Sequence, residues 1–109
     1  MATQERGSTR RLDFMRLLAE AGFSPNFLVI DLDTAKSVLT DRRMEMLETI
    51  RDEPIESVTG LAETLGRDKA AVSRDLDLLF EQDMIVYERE GSRKIPKLKH
   101  ETVVVEPLL

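Results

Sequence analysis

The stretch Ser57–Phe80, SVTGLAETLGRDKAAVSRDLDLLF, decides the fold, because two amphipathic helical patterns meet in it across a very short polar turn. In the first, Val58, Leu61, Ala62 and Leu65 fall at i, i+3, i+4 and i+7, which is one apolar helix face. Ser57 stands where an N-cap belongs. Gly66 follows the last apolar position, where a left-handed residue ends a helix without a Cβ penalty, and Asp68 then caps the next helix. The chain thus reverses within about two or three residues, a tight corner between two helices. In the second pattern Val72, Leu76, Leu79 and Phe80 form the expected buried stripe. Lys69, Ala70, Ser73, Arg74 and Asp77 are left outside. Gly60 costs the first helix about 1 kcal/mol relative to Ala and removes the usual capping-box partner of Ser57, so a late helix start is expected.

The outer face of the second helix carries the chemical signal. Its first two turns present two cations, a hydroxyl and a small alanine, a set that lets a helix approach phosphates closely and offer side chains to base edges. Acids enter only later, at Asp75 and Asp77, which confines the expected contact to Lys69 through Arg74.

Composition narrows the alternatives. A chain of 109 residues, 41% hydrophobic and 34% charged, suits one globular domain with a modest core. It has no cysteine and one histidine, which leaves no disulfide framework, no thiolate chemistry and little material for a metal site. The apolar runs are far too short to cross a bilayer, and a cytoplasmic location follows as the expectation. No phosphate-binding glycine loop and no nucleophile–base pairing is present, so neither catalysis nor a cofactor is expected. The formal charge of −5 opposes binding to a polyanion at long range, yet Gly91–His100, GSRKIPKLKH, is free of acids, and local phosphate contacts outweigh the total.

Around this centre, residues 1–9 read as a polar tail. A helical stripe from Arg10 to Ala21 is ended by Gly22, and Phe27–Ile30 reads as a strand without a neighbouring hairpin partner. Asp33 or Thr34 is the expected cap of a short helix to Leu39. Thr40 opens a second helix, with Met44, Leu47 and Ile50 on one face, and Pro54 prevents its continuation. After the corner, Met84–Arg89 and Arg93–Lys99 form a hairpin about the Glu90-Gly91-Ser92 turn. Pro96 demands an edge or one-sided pairing, and Glu101–Glu106 is a last strand.

LTDRRMEMLETI (Leu39–Ile50), the corner continued to Ile85 and YEREGSRKIPKL (Tyr87–Leu98) together resemble a winged helix-turn-helix domain. More narrowly, the chain resembles the small winged-helix transcriptional regulators common in archaea, and in its corner helices the multiple-antibiotic-resistance and arsenical-resistance repressors. The resemblance implies an α+β, mainly α fold: a three-helix core plus a hairpin wing across residues 34–100. Residues 1–33 would add a dimerising tail, helix and strand, and residues 101–109 a final strand. It implies a sequence-specific regulator of double-stranded DNA, of repressor type, acting as a homodimer. Arg67, Lys69, Ala70, Ser73 and Arg74 are its expected contacts at the recognition helix, and Arg93, Lys94 and Lys97 those at the wing. A winged-helix interaction scaffold and an antitoxin-type autoregulator are the alternatives.

Overall fold

The computed structural model describes residues 13, 16–22 and 26–106. The expected polar tail and the start of the expected first helix, including Leu12, Phe14 and Met15, lie outside them. Residues 16–20 are helical. Thereafter the order is β1 (Phe27–Asp31), α1 (Leu32–Val38), α2 (Asp41–Asp52), α3 (Val58–Leu65), α4 (Lys69–Glu81), β2 (Ile85–Glu90), β3 (Arg93–Leu98) and β4 (Thr102–Glu106).

Each helix boundary has a local cause. Asp31 caps α1 by accepting from the Thr34 N–H at 2.7 Å, so the cap lies earlier than the expected Asp33 or Thr34. Thr40 accepts from the Arg43 N–H, which makes α1 and α2 two helices rather than one. Ser57 caps α3 through the Gly60 N–H at 2.9 Å, and α3 begins directly at Val58 without the expected delay. Gly60 contributes to that cap, because a Cβ there would come within 3.2 Å of Ser57 Oγ. Gly66, at φ 65°, ends α3 with its N–H on Glu63 O and that of Arg67 on Ala62 O, the paired closure of a Schellman turn. Asp68 then caps α4.

The core is built where α2, α3 and α4 meet the β2–β3 hairpin. Met46, Leu61, Val72, Leu76 and Leu79 are fully buried, with Ile85 and Pro96 closing the hairpin side. Two expectations change here. Met44 is exposed while Met46 is buried, because three-residue steps drift by about 60° each on a helix of 3.6 residues per turn. Phe80 is 49% exposed, lying at the edge of the stripe beside the Tyr87 ring.

β2 and β3 pair antiparallel from Ile85↔Leu98 to Glu90↔Arg93 about a two-residue turn. Gly91, at φ 64°, is the turn's first central residue and Ser92 has no positive φ, which is the type II′ pattern. The closing pair is hydrogen-bonded and pairs alternate from it, so Tyr87↔Pro96 falls at a non-hydrogen-bonded position. There the missing Pro96 N–H costs the ladder nothing. The strand Phe27–Ile30 finds its partner at the far end of the chain: β1 pairs parallel with β4, from Phe27↔Thr102 to Asp31↔Glu106. His100 anchors the start of this pairing, its Nδ1 3.0 Å from Asn26 Oδ1, beside the Glu101 N–H donated to Asn26 O.

One polar knot ties the helices together. Asp75, on the inner side of α4, accepts from Arg43 Nε of α2 at 3.1 Å and from Arg67 Nη2 of the α3–α4 turn at 2.9 Å. Arg43 also donates to the carbonyls of Ser37 and Val38 at the end of α1, 3.2 Å each. Burial alone would push the Asp75 carboxyl up, but the hydrogen bonds and charges of Arg67 and Arg43 outweigh it and hold the group below its ordinary value.

Removing the carboxylate leaves two inward guanidiniums uncompensated. Asp75→Asn should therefore cost on the order of 2–3 kcal/mol, less than the loss of a fully buried partner because the knot keeps some solvent contact, as read by urea unfolding at pH 7. Since the folded-state value is depressed, the stabilisation is complete above the unfolded value of 3.8 and is lost as pH falls through the folded value. The stability gap between wild type and Asp75→Asn should narrow in acid, measured by the same titrations between pH 7 and pH 3.

Candidate nucleic-acid interface

The outer face of α4 is set by the same spacing that buries its inner face. With Val72, Leu76 and Leu79 turned to the core, Lys69, Ala70 and Arg74 are exposed and Ser73 is half-buried. No acidic residue occupies the first turn of α4, so the helix N-terminal dipole and Lys69 add in sign. Among the described residues, neither Lys69 nor Arg74 has an acidic partner within ion-pair distance. Arg67, expected from the sequence at this interface, is instead turned inward onto Asp75. Its side chain is only 16% exposed. Asp75 is likewise removed from the outer face, so it does not limit how closely α4 can lie against phosphate.

The wing is fastened to α4 through Asp77. The Tyr87 hydroxyl of β2 donates to Asp77 Oδ1 at 2.8 Å, the Tyr87 ring lies 5.3 Å from that of Phe80, and Lys94 Nζ sits 4.0 Å over the Tyr87 ring centroid. Lys94 Nζ also stands 3.9 Å from Asp77 Oδ1. Burial, and then the bond to Asp77, push the Tyr87 hydroxyl far above its ordinary value, so it remains a donor at any physiological pH.

The hairpin register sorts the wing cations onto two sides. Residues directly opposed across an antiparallel pair share a face. The face turned to α4 therefore carries Ile85, Tyr87, Arg89, Lys94, Pro96 and Leu98, with two cations and no acid of its own. The other face carries Val86, the buried Ile95, and Glu88, Glu90, Arg93 and Lys97, whose charges cancel. Arg93 on that side also meets Glu56 at 3.7 Å. The structure thus brings Lys94 together with α4 and sets Arg93 and Lys97 on the reverse side. Arg89, exposed and opposite Lys94, is the cation that the sequence reading missed. Its strand alternation relative to Tyr87 was the available signal.

Among the described residues, no group of three or more histidine, cysteine or acidic side chains is placed to hold a metal ion. No described helix is long and apolar enough to cross a membrane.

Solved structures with this fold are winged helix-turn-helix domains. The homodimeric DNA-binding domain of a possible ArsR-family transcriptional regulator from Mycobacterium bovis superposes with a TM-score of 0.56 at 22% identity, over 62% of this chain and 62% of that one. The present chain thus spans less than two thirds of that domain. A predicted DNA-binding transcriptional regulator from E. coli superposes with a TM-score of 0.57 at 19% identity, over 93% of this chain and 86% of that one. No curated protein matches the sequence. The model of the HVO_A0114 family matches residues 38–105, from the end of α1 through β4. A winged helix-turn-helix protein by its fold, the chain belongs to the HVO_A0114 family.

Proposed function

We propose that the protein is a sequence-specific, double-stranded DNA-binding transcriptional regulator of repressor type, a binding function and not a catalytic one. The observation that carries this reading is the outer face of α4, where Lys69, Ala70, Ser73 and Arg74 stand together without acidic partners beside a wing whose α4-facing side carries two cations and no acid. In the proposal the start of α4 enters the major groove. Arg74 is the residue suited to a bidentate guanine contact, Ser73 and Lys69 add base or backbone contacts, and Ala70 keeps the approach close. Lys94, with Arg93 and Lys97 at the outer margin, reaches the flanking backbone or minor groove. Residues 34–100 form the reading head. The two described relatives, named as DNA-binding regulators, support the same assignment.

We also propose that it works as a homodimer, joined through the terminal segments. A two-stranded parallel sheet is unusual standing alone, since parallel sheets are ordinarily covered on both faces, and β1–β4 has no further strand on either edge among the described residues. Val105 is 40% exposed on β4 and Leu17 62% exposed on the preceding helical turn. A second copy meeting these apolar positions would align two reading heads for a palindromic site. The homodimeric state given for the Mycobacterium bovis domain accords with this.

Selection of bound fragments from random DNA should yield an inverted repeat. Arg74→Ala should lower affinity for it by about tenfold to a hundredfold, the equivalent of ~1–3 kcal/mol for one bidentate contact, in fluorescence anisotropy titrations. No preference for any sequence at low salt would refute the reading. Light scattering at micromolar concentration should report a dimer, and Val105→Lys should shift it toward monomer; a wild-type monomer would refute the dimer.

A further inference from the structure

Arg89 and Lys94 occupy directly opposed positions on the α4-facing side of the wing. Counting from the hydrogen-bonded closing pair Glu90↔Arg93, this is a non-hydrogen-bonded pair, whose Cα atoms approach to about 4.5 Å. Like charges directly opposed in this way destabilise a hairpin unless an anion lies between or beside them. The only acid that reaches the pair among the described residues is not on the wing at all. It is Asp77, on the third turn of α4, at 3.9 Å from Lys94 Nζ. Arg89, by contrast, has no acidic partner within ion-pair distance among the described residues and is exposed.

We propose that Arg89 and Lys94 form a seat for a backbone phosphate of DNA, and that Asp77 holds the Lys94 half of the seat while no DNA is bound. The proposal rests on the DNA-binding reading and adds to it a contact residue, Arg89, and a role for Asp77 in setting affinity. Geometry explains the choice of occupant. The seat faces the cleft between α4 and the wing, which is where a phosphate strand runs when α4 lies in a groove and the wing lies on its flank. Lys94 over the Tyr87 ring is held in place by the aromatic face, so its ammonium need only exchange a carboxylate oxygen for a phosphate oxygen. Tyr87 keeps its hydroxyl on Asp77 through that exchange, and the wing stays fastened. An acid that must give up Lys94 to each incoming phosphate taxes every DNA sequence equally. Asp77 therefore sets the overall affinity and leaves the ratio between sites unchanged.

The test uses the full chain and the duplex selected as its best site, with affinity followed from low to moderate salt. Arg89→Gln should weaken binding severalfold for specific and unrelated duplexes alike and reduce the slope of log K against log salt by roughly 0.9, the value for one phosphate contact. Asp77→Asn, which preserves an acceptor for Tyr87, should tighten binding about twofold to fivefold for specific and unrelated duplexes alike. In a Lys94→Gln background the gain from Asp77→Asn should disappear. Persistence of the full gain there would overturn the role of Asp77, showing long-range repulsion instead. An unchanged slope in Arg89→Gln, in a protein whose wild type binds DNA, would overturn the seat while leaving the DNA-binding reading intact. Failure of the wild type to bind any duplex would overturn both.

Discussion

The structure depends on one carboxylate. Asp75 faces inward from α4 and receives a guanidinium from α2 and another from the corner between α3 and α4. Arg43 carries the linkage further, to the last carbonyls of α1. Four segments are thereby fixed in angle by groups that tolerate little displacement, since charge-assisted hydrogen bonds weaken steeply with geometry. Hydrophobic burial gives the core its stability, but apolar side chains accept many rotations of one helix against another. The Asp75 knot selects one of them, and so sets the direction in which Lys69, Ser73 and Arg74 project.

A second constraint acts at the other end of α4. Asp83, at φ 66°, takes the left-handed position that ends the helix, and its neighbour Met84 donates back to Leu79 O. The Asp83 carboxylate then receives Lys99 and lies 3.5 Å from His100 Nε2. The same two residues lead into β4. The end of α4, the exit of the wing and the start of the terminal sheet therefore share a joint, through Asn26 on the His100 side.

How much of this was legible in the sequence follows from the range of each interaction. Ser57, Gly66, Asp68 and Thr40 act on atoms within four residues of themselves, and each stands where the sequence places it. Asp75, grouped with Asp77 among the acids expected to limit the outer face, is turned inward instead, although its position already held the signal. It lies three residues after Val72 and four before Leu79, on the buried side of α4, and an acid on a buried stripe requires a cation; the identity of Arg43 and Arg67 was not legible, because they come from other elements. Arg67 was assigned to the outer surface for the same reason. Phe80 and Met44 mark the limit of counting periods, since the edge of an apolar stripe is decided by what lies over it. The β1–β4 pairing was beyond local reading altogether. Strand character at Phe27–Ile30 and Val103–Val105 shows in their composition, but the register joins residues separated by the whole reading head.

The acidity of the chain now has a physical resolution that the total charge of −5 obscured. Charges on this molecule are sorted by element geometry. Strand alternation puts Glu88 and Glu90 on the side of the wing away from α4 and Arg89 on the side toward it, although the three are adjacent in sequence. Helical spacing turns Asp75 inward and leaves Arg74, its neighbour, outward. An acid one residue away along the chain can thus be on the opposite surface, and its field at the outer face of α4 is weakened by distance and by screening over a Debye length of about 8 Å at physiological salt. A strongly acidic protein with a cationic reading surface is consistent on these terms. The acids that remain near that surface are few, and Asp77 is the one that joins α4 to the wing, through Tyr87 and Lys94.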